Sequence, residues 1–463
     1  MIRLFQVFIP TSVVGLVISE ALLATACYCA AFYLTGGISI DLYLLYGGGG
    51  AATAIVVASI LLGIYFHDLY SEFRVWSRIY LIQQYCLVFG MAFLAQALLS
   101  YLDRDLILPR WHMIAGSALG LVVLPLWRMA YSQAVFSILD PQRVLFVGDS
   151  DLARQVGRHL RRRPEYALAP AGYLAPKADP EADECLGPWQ GEPADVRRVW
   201  RTLTPDRVVV GLAERRGQLP VFELLDLRLR GVPVEEVGGL YETVTGRVSL
   251  SALRPSHLIF HRRLGPSPHA LIFQRAYSAA VGLAGIILTG PLLLVVAILV
   301  RITSPGPALY RQRRVGYRGK VFEVLKFRSM YVDAEAHTGA VWAKKDDPRV
   351  TPLGKWLRKL RIDEFPQFFN ILKGEMVIAG PRPERPEFVK ELTEQIPFFS
   401  LRHSVLPGIT GWAQINHKYG DTLEDTIAKL EYDLYYIKNL SPSLDLYIVF
   451  HTIKVMLLGR GSQ

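Results

Sequence analysis

At 463 residues the chain is longer than one ordinary domain, and it combines 51% hydrophobic residues with a net charge of +10. A mean hydropathy of +0.25 beside an isoelectric point near 9.3 argues against a plain soluble enzyme and for a membrane protein with a basic, anion-facing part. Nucleic acid would account for the charge but not for the apolar segments, so none is expected as a partner.

Four apolar segments come first, each close to the ~20 residues needed to cross a bilayer. They are Val13–Leu34, Leu45–Phe66, Ile79–Leu99 and Met113–Leu139, the last carrying Arg128 and expected to be shorter than drawn. A cleaved signal peptide is not expected, because only Arg3 is basic before the first segment, Glu20 interrupts it, and three more follow. The same features argue against Ala24-Thr25-Ala26-Cys27 as a lipoprotein site. Arg74 and Arg78 follow the second segment and Arg143, Arg154 and Arg158 the fourth, whereas Gly36–Asp41 has no Lys or Arg. Both ends of this four-helix unit (1–139) are therefore expected on the cytoplasmic side, although Arg104 and Arg110, accompanied by Asp103 and Asp105, weigh against it. Cys27, Cys29, Cys86 and Cys185 lack metal-ligand spacing and read as small core residues in a reducing setting.

Residues 140–266 read as a soluble α/β domain. Arg143–Gly148 is a buried-strand pattern running into a turn and helix, like the start of a dinucleotide fold. Gly148-Asp149-Ser150-Asp151-Leu152-Ala153 lacks the second glycine that admits a pyrophosphate, and no acid stands where a ribose ligand belongs. A degenerate, structural or regulatory Rossmann-like module is expected rather than an NAD site. Val208–Gly211 reads as a further parallel strand, Leu225–Arg228 and Gly231–Val234 as helix then strand, and Lys177–Gly191 as a surface loop.

Residues 267–463 form the third expected domain. Its apolar run Ala279–Val300 is broken at Gly290-Pro291, where proline removes a backbone hydrogen bond. Read as a crossing, it would put the basic residues beyond Arg301 outside the cell. A re-entrant helix–break–helix over about 273–303 keeps them on the cytoplasmic face, an ordinary kinked span being the alternative. Arg311, Arg313, Arg314, Arg318 and Lys320 follow, some of them to meet anionic headgroups. Val321–Met330 alternates as a strand carrying Lys326 and Arg328 to one face, and Asp346–Arg349 reads as a turn.

Thr351-Pro352 reads as an N-cap and first helical residue, followed by an amphipathic helix with Leu353, Trp356, Leu357 and Leu360 on one side. A second helix is expected from Glu364 to Lys373, ended by Gly374. Between them lies Asp363-Glu364, hemmed by Arg358, Lys359, Arg361 and Arg382. Such a pair suits a site for a phosphorylated, metal-bound substrate. It equally suits a plain N-cap with an acid on the helix dipole. The Gly-rich loop Pro407–Asn416 is of the kind that offers backbone donors to phosphates or a base. His403 reads equally as a structural histidine or a phosphate contact, and Trp412 as core before sugar-stacking. Tyr432–Tyr436 and Leu444–Leu458 suggest amphipathic helices on a membrane surface.

The ordered string LRxxxIDExPQxxNxLxGxMxxxGPRP, with the broken helix, KFRSM, DPRVTPLGKWLR and RHSVLPGITGWAQIN, resembles the bacterial sugar transferases, the polyprenyl-phosphate hexose-1-phosphate transferases. The resemblance covers about Phe273 to Leu458. GPRPERPEF and the tail from His417 are similar to a branch associated with exosortase-linked exopolysaccharide systems. The resemblance implies transfer of a sugar 1-phosphate from a UDP-sugar to undecaprenyl phosphate with release of UMP, at the cytoplasmic face of a bacterial inner membrane, as the first membrane step of exopolysaccharide synthesis. It implies Asp363 as nucleophile forming an aspartyl phospho-sugar, Glu364 on Mg²⁺, and Arg358 on the nucleotide phosphate. Lys326, Arg328 and Arg382 would neutralise diphosphate or acceptor phosphate. Pro381, Gly408, Thr410, Gln414 and His403 complete the implied substrate-binding set. Large members of the family carry the same four-helix unit and α/β insert, and Pro291 matches their breaking proline. The Ile378-Ala379 pair, Leu406 and His417 depart from the family's usual residues, without removing an implied catalytic group. The four-helix unit and the insert offer surfaces for a homodimer, and downstream glycosyltransferases would take the product. The competing readings are a non-catalytic membrane scaffold or regulator of polysaccharide assembly and an NAD-dependent sugar-nucleotide enzyme. The donor sugar and the ligand of the insert are not readable from the residues.

Overall fold

A computed structural model describes residues 2–35, 48–70, 77–101, 103, 106–138, 141–212, 219–253, 265–332, 334, 347–417 and 422–457. The start of the second apolar segment, the 36–41 loop, Arg74, Arg104, Asp105, Asp346 and residues 418–421 of the tail motif lie outside the described residues. The chain forms two compact units, one of residues 1–2 with 8–234 and the other of residues 3–7 with 235–463.

The first unit opens with four helices: α1 (Thr11–Thr35), α2 (Gly49–Phe66), α3 (Arg78–Leu99) and α4 (Arg110–Ile138). Packing runs α1 on α2, α2 on α3, α3 on α4 and α4 on α1, closing a bundle. Each of these helices contains a stretch long and apolar enough to cross a membrane. Small residues let the helices approach: a Cβ at Gly120 would fall 2.6 Å from the Phe89 ring. The two charges that interrupt the apolar pattern meet, Arg128 Nη1 lying 2.9 Å from Glu20 Oε1 with both side chains buried. Tyr70 and Tyr85 each donate to Glu20 at 2.7 Å, and Arg128 also donates to the Leu69 carbonyl. Arg128 therefore does not shorten the fourth helix, because its charge is matched inside the bundle.

The α/β part follows with β1 (Gln142–Val147), α5 (Asp151–Arg162), β2 (Leu168–Leu174), α6 (Pro180–Leu186), β3 (Trp189–Gly191), α7 (Val196–Leu203), β4 (Arg207–Val210), α8 (Val221–Leu229) and β5 (Val234–Glu236). The sheet order is β3-β2-β1-β4-β5, and β1 pairs in parallel with both β2 and β4. This is the doubly wound order of a Rossmann-like fold. Leu145, Val147, Val208 and Val210 are buried beneath the covering helices, which explains their unalternating apolar runs. After β1, Gly148 adopts φ +106°, and a Cβ there would lie 2.5 Å from the Leu212 nitrogen. Backbone of residues 211–212, just past β4, thus packs against this turn. The stretch 177–191 is not simply a loop. Asp179 caps α6 by accepting from the Glu181 N–H at 2.9 Å, Pro180 takes the first helical position, and Ala182, Cys185 and Leu186 are buried. The Pro and acidic residues that suggested a loop are the start of a helix.

The second unit begins with α9 (Val237–Thr245), whose residues pack on the catalytic domain rather than on the sheet. Tyr241 donates to Glu431 at 3.1 Å and the Trp412 indole to the Gly246 carbonyl at 2.9 Å. Next is α10 (Pro268–Thr303), a 36-residue helix with Pro291 inside it. Its helical assignment runs through Gly290-Pro291 without the expected interruption. The missing N–H of Pro291 leaves the Ile287 carbonyl without its ladder donor, so this is where bending would cost least. Its lower half is tied down where Gln274 donates to Tyr436 at 2.7 Å and to Asp445 at 2.8 Å. An antiparallel hairpin, β6 (Leu309–Val315) and β7 (Val321–Phe327), follows. Then come α11 (Pro352–Lys359), α12 (Gln367–Leu372), β8 (Val377–Ala379), α13 (Pro386–Gln395), β9 (Gly408–Thr410), α14 (Trp412–Asn416), α15 (Leu423–Asn439) and α16 (Pro442–Leu457). β8 and β9 pair in parallel. Trp412 is core, 4% exposed and stacked on Tyr435 at 5.6 Å.

Candidate active site

Thr351 caps α11 by accepting from the Gly354 N–H at 2.9 Å, with Pro352 as first helical residue. The helix ends at Lys359, and Arg361 turns left-handed (φ +55°) into a tight 3-10 turn over Ile362–Glu364. Asp363 and Glu364 therefore sit on this turn, not on the first turn of a helix begun at Glu364. Pro366 cannot donate back to the Ile362 carbonyl, so the α-helical ladder restarts only at Gln367. Both acids are 9% exposed.

Three cations converge on Glu364. Arg382 Nη2 lies 2.9 Å from Oε1, Lys326 Nζ 3.5 Å from Oε1 and Arg361 Nη1 3.8 Å from Oε2. Burial acts to raise the Glu364 carboxyl, but Arg382, Lys326 and Arg361 outweigh it and hold the group well below the usual carboxylate range. Asp363 behaves oppositely. Burial and the neighbouring Glu364 charge push it up to about 6, against the pull of Lys326, Arg358 and Arg382. The cations alone thus secure ionisation of Glu364, while Asp363 ionises fully only above pH 6. Burial also lowers the Lys326 ammonium below its ordinary value. Two adjacent carboxyls with divergent environments are a division of labour, one fixed charge and one reactive group.

The pair opens into a cavity of about 470 Å³ whose lining carries, among the described residues, ten Lys or Arg side chains against four carboxylates. Lys326, Arg328, Arg358, Arg382 and Gln414 all line it. Arg358 is held by its Nε donating to Ser329 Oγ at 2.9 Å. Lys326 and Arg328 part company, because β7 ends at Phe327. Lys326 reaches Glu364, while Arg328 Nη2 donates to the Ser304 carbonyl (2.6 Å) and hydroxyl (3.0 Å) at the C-terminus of α10. Gln414 Oε1 is buried without a hydrogen-bond partner among the described residues.

Other expected contacts lie behind the wall. The Pro381 carbonyl accepts from Gly408 N–H at 3.1 Å, and Thr410 Oγ1 lies 2.6 Å from Thr452 Oγ1. A Cβ on Gly408 would overlap the Gly380 nitrogen, so that glycine serves close strand approach. His403 is not on the cavity lining. Its ring lies edge-on to Phe399 at 6.3 Å, and burial with nearby Arg402 lowers it to about 4.

Its neighbour Arg402 is the residue that sequence reasoning passed over. Arg402 Nη2 donates to the Arg382 carbonyl at 2.9 Å and pairs with buried Asp433 at 2.8 Å. Arg314 donates to the next carbonyl of the Pro-Arg-Pro turn, that of Pro383, at 2.9 Å. The turn that presents Arg382 is thereby clamped by two guanidiniums. The signal was faint: Arg314 looked like one of several headgroup-facing arginines, and Asp433 like part of an aromatic helix.

Among the described residues no group of three or more His, Cys, Asp or Glu gathers to hold a metal ion by itself. Mg²⁺ is commonly held by one or two carboxylates together with water and substrate phosphates; Glu364, the carboxylate expected to take it, lines the cavity with Lys326, Arg382 and Arg361 at its oxygens.

The family of bacterial sugar transferases matches residues 269–459. The chain is 40% identical over 318 residues, 66% of its own length and 70% of the relative's, to the UDP-N-acetylgalactosamine-undecaprenyl-phosphate N-acetylgalactosaminephosphotransferase of Aeromonas hydrophila. It is 32% identical over 342 residues, 70% of its length and 68% of the relative's, to the UDP-glucose:undecaprenyl-phosphate glucose-1-phosphate transferase of Xanthomonas campestris pv. campestris. It is 37% identical over 196 residues, 41% of its length and 98% of the relative's, to the exopolysaccharide production protein PSS of Rhizobium leguminosarum bv. phaseoli. The chain belongs to the bacterial sugar transferase family and is an enzyme of the phosphoglycosyl transferase class.

Proposed function

We propose that this enzyme moves a sugar 1-phosphate from a UDP-sugar to undecaprenyl phosphate, releasing UMP, through a covalent intermediate on Asp363. The observation that carries the reading is the Asp363-Glu364 pair set in a cation-lined cavity, one acid held ionised and the other poised near neutrality. In the first displacement an Asp363 carboxylate oxygen attacks the β-phosphorus. A P–O bond to Asp363 forms, the bond to the bridging oxygen breaks, and UMP leaves with that oxygen. In the second, a phosphate oxygen of the acceptor attacks the same phosphorus and frees Asp363. Splitting the transfer this way replaces one encounter of three charged partners by two simpler ones. Lys326, Arg358 and Arg382 offset the charge of the transferring phosphoryl group. Arg402 and Arg314 hold the turn that aims Arg382. Mg²⁺, held by Glu364 and substrate oxygens, would supply further charge neutralisation at the diphosphate.

The reading includes a cytoplasmic-face site in a bacterial inner membrane, a re-entrant path for α10 with its bend at Pro291, and a role at the start of exopolysaccharide assembly. The apolar helices, the charge distribution and the relatives' names support it. The test is Mg²⁺-dependent UMP release from wild type and Asp363→Asn across a panel of UDP-sugars with polyprenyl phosphate. Release by wild type alone is expected. Equal behaviour of the two proteins would return the account to a non-catalytic scaffold.

A further inference from the structure

A second cavity of about 500 Å³ lies beside the catalytic one, lined by Ser304, Pro305, Tyr331, Val332, Ala334, Pro348 and Arg349. Tyr331, Val332, Ala334 and Arg349 line both, so the two spaces share a wall. Among the described residues its lining differs from that of the catalytic cavity, with Arg349 the one cation and that guanidinium already paired with Asp347 at 2.6 Å. The other described lining residues are proline, valine, alanine, a tyrosine ring and one serine hydroxyl. Its position matters as much. Ser304 is the C-cap of α10, so the cavity begins where the longest apolar helix of the chain ends.

A buried cation of the catalytic cavity, Arg328, is tied to Ser304, which lines the second. Arg328 is 6% exposed and binds Ser304 through Nη2, while its Nε and Nη1 are buried without a hydrogen-bond partner among the described residues. Gly306 (φ +117°) makes room for it, since a Cβ there would run into the Arg328 guanidinium and lie 2.8 Å from Val332. A guanidinium with unsatisfied N–H groups next to an apolar space suits a ligand with a phosphate at one end and a hydrocarbon chain at the other.

We propose that this second cavity receives the first isoprene units of the polyprenyl phosphate acceptor, with the acceptor phosphate directed past Arg328 into the catalytic cavity. The inference rests on the functional reading above and adds where the acceptor enters. The apolar lining takes the hydrocarbon neck, the shared wall carries it to the reacting phosphorus, and the end of α10 marks the level at which the chain leaves the lipid.

The experiment uses the full-length enzyme in lipid nanodiscs, with Pro305→Glu and Pro348→Glu, two positions that line only the second cavity. A carboxylate set against an isoprene unit should raise the KM for undecaprenyl phosphate by about ten-fold or more. The KM for the UDP-sugar should stay within about two-fold, which also reports an intact fold. An unchanged acceptor KM in both variants overturns the proposal, and so does a parallel rise in both KM values. Failure of the wild type to use polyprenyl phosphate at all would instead sink the functional reading, and this inference with it.

Discussion

Replacing Lys326 by Met tests the electrostatics of the pair most sharply. Lys326 Nζ stands 3.5 Å from Glu364 and is the foremost of the cations that restrain Asp363, which burial and Glu364 have pushed up to about 6. Removing the foremost opposing charge raises a carboxyl pKa by about one unit or more. The wild-type rate of the first displacement should therefore fall about ten-fold per pH unit below 6, where the nucleophile is protonated. In Lys326→Met that limb should move up to about pH 7. At pH 6 half of wild-type Asp363 is ionised against about one-eleventh in the variant, an additional loss of about five-fold that vanishes by pH 8. Lost contact with substrate phosphates would lower the rate equally at all pH values, so the horizontal and vertical displacements separate. The assay is single-turnover UMP release between pH 5 and 9 without acceptor. A limb that stays in place, or moves to lower pH, would refute the reasoning.

Other consequences follow from the same geometry. Glu20→Leu strands Arg128 inside the bundle and should cost about 3–5 kcal/mol, whereas Glu20→Leu combined with Arg128→Met should recover most of it, measured by thermal unfolding in detergent. Equal unfolding temperatures for the single and double variants would contradict the pairing. Gly408→Ala should lower the unfolding temperature and the folded yield, because its Cβ would overlap the Gly380 backbone, while Gly290→Ala meets nothing within 4 Å and should stabilise α10 by about 1 kcal/mol.

Much of the architecture was legible because it rests on local pattern. The four apolar segments and the strands at 142–147 and 207–210 declare themselves by hydropathy and by short unalternating apolar runs, and Thr351-Pro352 by cap chemistry. What escaped depends on encounters far apart in sequence. Nothing in the neighbourhood of Arg128 says that Glu20 will meet it, so it looked like a limit to the helix. Residues 180–186 looked like a loop because helix-starting residues and loop residues are the same types. Near the active site, alternation put Lys326 and Arg328 on one face, but the hairpin ends between them and sends Arg328 to the end of α10. His403 drew notice as a titratable side chain, while Arg402 beside it does the positioning through Asp433, which is 31 positions away in the chain.

The central claim is that Asp363 becomes covalently attached to the sugar phosphate. Mass spectrometry of the purified enzyme, incubated with Mg²⁺ and a panel of UDP-sugars without lipid acceptor, tests it directly. The account predicts a sugar-phosphate adduct on a peptide containing Asp363 with one or more donors, absent in Asp363→Asn and discharged on adding polyprenyl phosphate. Folded enzyme that releases UMP on adding acceptor yet shows no adduct with any donor would contradict it, and would place the transfer in a single displacement between bound donor and acceptor.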